Sequence, residues 1–154
     1  MINERLLAEL KAADRDTRVD AYDEISIEMD DDLAQHIAGI AGDADDDAIR
    51  SDAVIALGPV IEEFSMDEDD APVSSATFEA VVRQLRSIYA DESQPKVVRR
   101  RAFESLVRDP QPWQRDEIRR LASSEDETWR LTAIFGMGYV NGFEKEILQI
   151  LRSA

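Results

Sequence analysis

The chain of 154 residues contains no cysteine. That absence excludes disulfide stapling, thiolate nucleophiles and cysteine-ligated zinc or iron–sulfur sites. Histidine occurs once, at His36, so a nucleophile–histidine dyad or a multi-histidine metal site has almost no material, and a structural histidine on a helix is expected. No metal and no cofactor are implied. Lysine is confined to Lys11, Lys96 and Lys145, which makes the basic residues mostly arginine. No stretch approaches the ~20 apolar residues that cross a bilayer. Within "MINERLLAELKAADRD", Glu4 and Arg5 precede any apolar run of the secretory kind. The expectation is a soluble, cytoplasmic protein with no membrane contact. Nowhere does period-two alternation persist between turn signals, so no sheet is expected.

Acid is what the chain has in excess. The formal charge of −16 is uneven: residues 1–92 hold 25 acidic and 7 basic residues, net −18, whereas residues 93–154 hold 9 and 11, net +2. Such a field repels nucleic acid and anionic lipid, although the last third could present a local basic face. The aspartate and arginine bias fits adaptation to salt as well as a binding role. The run Asp43–Asp47 places aspartates at alternate positions, but a calcium loop requires glycine sixth and glutamate twelfth, where Ala48 and Val54 stand. Helix capping accounts for the run.

Self-similarity organises the rest. Arg50 is followed by Ala53 at +3, Ala56 at +6, Leu57 at +7 and Gly58 at +8, and Arg130 by Ala133, Gly136, Met137 and Gly138. Arg18 gives Ala21 and Ile25, and Arg99 gives Ala102 and Leu106, at +3 and +7. The anchors lie 32, 49 and 31 residues apart, which a unit of about 31 residues with one insertion of about 18 explains. An acid precedes the anchor by four residues at Asp14, Asp46 and Asp126; the third unit has Pro95 there. In each unit a second helix starts at this acid, which caps free backbone N–H groups and favours the positive end of the helix dipole. The preceding helix supplies its own apolar stripe: Leu6, Leu7 and Leu10; then Leu33, Ile37 and Ile40; then Val81, Val82, Leu85 and Ile88; then Ile118 and Leu121. The pattern predicts helices over 2–12, 15–28, 31–42, 46–64, 74–90, 95–108, 111–123, 126–139 and 142–152. It gives one all-α domain over 1–154, with units at about 1–29, 30–64, 74–109 and 110–140. The acidic, Pro-containing segment 65–75 reads as a mobile insertion loop, and 142–153 as a capping helix.

"DDAIRSDAVIALG" (Asp46 to Gly58) and "DETWRLTAIFGMG" (Asp126 to Gly138) resemble the second helix of HEAT-like repeats, in particular the short class found in phycobilisome-lyase-type proteins. The other two units match more weakly, lacking the glycine at +8. The resemblance covers nearly the whole chain outside 65–75. It implies a right-handed α-solenoid of about four helical hairpins, in which Arg18, Arg50, Arg99 and Arg130 with the acids Asp14, Asp46 and Asp126 form a structural ladder.

For function, the positions +4 and +5 after each arginine are expected on the concave side. They hold Tyr22, Val54, Ile55, Phe103, Ile134 and Phe135. If these are exposed they make an apolar stripe, with Tyr139 at its end and Arg100 as a rim charge; packing between repeats is the alternative. The leading expectation is a non-catalytic scaffold binding a segment of a protein partner in this groove. The lyase-like alternative places a tetrapyrrole or similar apolar anion among Tyr22, Phe103, Phe135 and nearby arginines. A third reading uses Arg99, Arg100, Arg101, Arg108, Arg115, Arg119 and Arg120, interleaved with Phe103 and Trp113, to bind nucleic acid; the acidic first half opposes it. Trp113 and Trp129 read as packing residues, or as an aromatic wall beside a groove.

Overall fold

A computed structural model describes residues 3–153. The described residues are all-helical: α1 (Glu4–Glu9), α2 (Arg15–Ser26), α3 (Asp31–Asp43), α4 (Asp47–Met66), α5 (Ser75–Ala90), α6 (Lys96–Leu106), α7 (Pro112–Ala122), α8 (Glu127–Met137) and α9 (Glu144–Ser153). The expected start of the first helix at residue 2 lies outside them, and α1 ends at Glu9, short of the expected residue 12.

Local chemistry explains most boundaries. Asp14 caps α2 through the Thr17 amide, Asp46 caps α4 through the amides of Ala48 and Ile49, and Asp126 caps α8 through that of Thr128. Asn3, Asp30 and Ser74 cap α1, α3 and α5 in the same way. At the unit whose acid is missing, Pro95 precedes α6 and offers no side-chain cap.

The helices pair as α1 with α2, α3 with α4, α5 with α6 and α7 with α8. The second helices also meet in order, α2 on α4, α4 on α6 and α6 on α8, while α3 packs on α5. One apolar cluster runs through these contacts from Leu6 to Phe143. The +3 alanines Ala21, Ala53, Ala102 and Ala133 and the +7 residues Ile25, Leu57, Leu106 and Met137 are all buried in it. Where α8 meets α7 the approach at Gly136 is close: a Cβ there would stand 3.0 Å from the Ile118 side chain, which would have to shift by a few tenths of an ångström.

Two regions show more than the sequence pattern. The segment 65–75 is not a bare loop: α4 continues to Met66, a 3-10 turn spans Glu68–Asp70, and Val73 is buried against Ala34 and Val60. The Ser74 amide also donates to Asp31 Oδ1 at 2.7 Å. A single apolar residue thus anchors a stretch without periodicity. The last helix, α9, buries none of its residues. Leu148, Ile150 and Leu151 are exposed, and the anchor of this region is Phe143, before the helix, which is buried beneath the Arg119 guanidinium.

Candidate functional site

The four anchor arginines share one task. Each turns back to carbonyls at or just after the C-terminal end of the preceding helix, in its last turn for Arg50 and Arg99 and in the turn that follows it for Arg18 and Arg130. Arg18 Nη1 donates to the Ala12 and Ala13 carbonyls at 2.8 and 3.0 Å, and Arg50 Nε to Ala41 at 2.8 Å. Arg99 Nε donates to Tyr89 at 3.0 Å, and Arg130 Nη1 to Ser124 and Glu125 at 2.8 and 2.9 Å.

The upstream acids do not pair with these arginines; they cap the second helices, and Asp126 also pairs with Lys96 at 2.9 Å. Links to the following unit come from other residues. Arg18 reaches Asp52 at 2.8 Å, Arg50 reaches Gln94 Oε1 at 2.8 Å, and Arg99 lies over the rings of both Tyr89 and Trp129. Asp52 was missed because nothing in its own unit marks it; its signal is its place two residues after an anchor, where Thr132 stands in the fourth unit.

The outward face differs from the expected one. At +4, Val54 and Phe103 are 0 % exposed and Tyr22 is half-buried; only Ile134, on the last second helix, is exposed. Phe103 therefore belongs to the core, at 5.0 Å from the Tyr89 ring and 6.1 Å from that of Trp113. Its assignment as a groove residue is corrected: position +4 points at the next second helix, which covers it. The exposed apolar residues are Val19 and Leu131 at +1 and Ile55 and Phe135 at +5, positions one helical turn apart on a single face.

On α6 that face is polar. Arg100 Nε donates to Thr132 Oγ1 at 3.0 Å, Thr132 Oγ1 donates to Glu104 Oε2 at 2.7 Å, and Arg101 pairs with Glu104 at 2.6 Å. Arg100 is thus bound into a network between α6 and α8 instead of forming a free rim charge. The Phe135 and Tyr139 rings meet at a tilt, 5.4 Å apart, and Arg108 lies over the Tyr139 ring.

Between α2 and α4 the same face deepens into a groove of about 420 Å³. Its floor is apolar: Val19, Met29, Ile55, Ala56, Pro59 and Val60. Asp23, Ser26 and Glu63 edge it, Asp52 on its lining is held by Arg18, and Arg15 is the cation on that lining. Tyr22 also lines it, and among the described residues its hydroxyl has no hydrogen-bond partner. Burial, and then the Asp52 carboxylate, push this phenol well above its ordinary range, so it stays protonated. Pro59 lies inside α4 and has no N–H to give the Ile55 carbonyl four residues earlier, which opens a backbone acceptor on the stretch of α4 that lines the groove.

Of the aromatic residues proposed together for an apolar anion, this groove contains Tyr22, with Arg15 as its arginine; Phe103 and Phe135 are not on its lining. The arginine cluster is likewise engaged within the chain. Beyond the contacts above, Arg115 donates to the Asn141 carbonyl, Arg119 pairs with Asp116, and Arg120 with Glu117 and the Tyr89 hydroxyl. Trp113 and Trp129 pack half-buried on the core, and Arg86 covers the Trp113 ring. His36, half-buried on α3, makes no side-chain hydrogen bond among the described residues. No helix among the described residues is long and apolar enough to cross a membrane. No family model, no curated protein and no solved structure matches the chain.

Proposed function

We propose that the chain is a short α-solenoid of HEAT-like repeats acting as a non-catalytic binding module, which receives a segment of a partner protein along the outward face of its second helices. The observation that carries this reading is the row of exposed apolar residues on that face, Val19, Ile55, Leu131, Ile134 and Phe135, at 36–53 % exposure. A helix that only completes a core places charged or polar residues at such positions; contiguous apolar exposure on a rigid surface is what an interaction site requires. The in-order packing of α2, α4, α6 and α8 supports the solenoid, because a repeat stack brings equivalent helices side by side. The network around Glu104 divides the apolar row into two seats, one on α2 and α4 and one on α8.

Selection of a displayed random-peptide library on the wild-type chain tests the reading. Peptides are expected to enrich and to lose binding to the Ile55→Asp, Phe135→Asp double variant while its helical circular dichroism is retained. Failure to enrich any peptide, or equal binding to both proteins, removes the proposal.

A further inference from the structure

The α2–α4 groove carries enough chemistry to specify its occupant. Resting on the reading above, we infer that it takes a basic amphipathic segment of a partner protein, its apolar side chains on Val19, Ile55 and Pro59 and its lysine or arginine side chains against Asp23 and Glu63.

The charge balance selects the sign. Arg18 is neutralised by Asp52, which leaves the Asp23 and Glu63 carboxylates against the single cation Arg15. The acceptors on offer are the two carboxylates and the Ile55 carbonyl that Pro59 leaves without its helical donor, set against the donors of the Tyr22 hydroxyl and of Arg15 at the far end. Cationic side chains carry donors alone, three on lysine and five on arginine. An acidic segment would meet both like charge and acceptor facing acceptor.

The two helices also orient the occupant. Arg18 meets Asp52 early in both, and Met29, beyond the end of α2, packs on the cluster that holds Val60, late in α4, so they run in the same direction. Their C-terminal ends, negative by their dipoles, therefore lie together near Glu63, and Asp67, Glu68, Asp69 and Asp70 follow there. Arg15 lies at the opposite end. The basic residues of the segment belong at the Glu63 end.

The probe is a fluorescein-labelled amphipathic peptide of leucine and lysine, compared by anisotropy with a leucine–glutamate peptide of the same pattern and with a leucine–lysine peptide scrambled to destroy the apolar stripe. The patterned lysine peptide is expected to bind at least about tenfold more tightly than either control. Ile55→Asp, on an exposed position that spares the core, is expected to weaken it about tenfold, with the melting temperature showing that the fold persists. The isosteric Asp23→Asn, Glu63→Gln pair is expected to weaken it several-fold and flatten its salt dependence.

Equal binding of patterned and scrambled lysine peptides, unaffected by Ile55→Asp, overturns the inference by reducing the effect to diffuse attraction to an acidic protein. Binding that Phe135→Asp abolishes and Ile55→Asp does not also overturns it, while leaving the broader binding reading standing with its seat on α8. Preference for the glutamate peptide overturns the sign in the same way. If no synthetic peptide binds and the displayed library also yields none, both readings fall together.

Discussion

Phe103 and Phe135 stand at +4 and +5 of equivalent helices, and one residue of difference reverses their roles. Phe103 is fully buried in the aromatic group of Tyr89, Trp113 and Trp129, whereas Phe135 is 36 % exposed and touches Tyr139. Truncating Phe103 to alanine leaves a cavity that its neighbours cannot fill, with an expected loss of about 3–5 kcal/mol. The same change at Phe135 removes side-chain surface that is already about a third in water and is expected to cost less, about 1–2 kcal/mol. Chemical denaturation of the two variants measures this, and equal losses would return Phe135 to the core. The choice between +4 and +5 could not be read from the unit itself, because it depends on the side from which the next second helix approaches. The core positions +3 and +7 were legible, since small and large apolar residues recurred there in all four units.

At the scale of the helix, what is local was readable and what is tertiary was not. Acid at the N-cap, apolar stripe and small residue at +3 are interactions within one or two turns, and the predicted helices correspond to α1–α9 with shifts at their ends. Val73 could not be foreseen as buried, because its partners Ala34 and Val60 lie on other helices. Nor could the stripe of α9 show that Ile147 would pack on the core while Leu148, Ile150 and Leu151 remain exposed, since a stripe says nothing of whether a partner is present.

The caps also set a response to acid. Hydrogen bonds from the Thr17 hydroxyl and amide hold Asp14 below the ordinary carboxylate range, and Lys96, then Thr128, hold Asp126 lower still. With folded values depressed, this contribution is complete above the unfolded value of about 4 and is lost as pH falls toward the folded ones, because the unfolded chain takes up protons first. In about 0.5 M salt, where repulsion among the acids is screened, the melting temperature is expected to fall between pH 5 and 2 in the wild type, and less steeply in Asp14→Asn, Asp126→Asn. Asparagine still caps a helix but does not titrate in this range. Parallel curves would show that these caps do not govern the acid response.

Over the whole molecule the acid excess divides into two regimes. In the last third, carboxylates have cations beside them: Glu117 meets Arg120, Asp116 meets Arg119, and Asp126 meets Lys96. In residues 1–92 there are 25 acidic residues for 7 basic ones, so most carboxylates there have no cation of that stretch to pair with. Asp20, Asp32 and Asp45 are exposed examples, on α2, on α3 and in the turn before α4. Neutralising charge should then have opposite signs in the two regions. Asp20→Asn, Asp32→Asn, Asp45→Asn relieves repulsion and is expected to raise the melting temperature by about 2–4 °C at low salt, an advantage that shrinks as salt screens the wild type. Asp116→Asn, Glu117→Gln, Asp126→Asn removes attraction and is expected to lower it, again less at high salt. Thermal unfolding of both triple variants across a salt series measures the two slopes. A fall in both would mean that the N-terminal acids are stabilised by contacts that outweigh their repulsion, whereas a rise in both would mean that the pairs of the last third stabilise less than they cost in repulsion from the remaining acids.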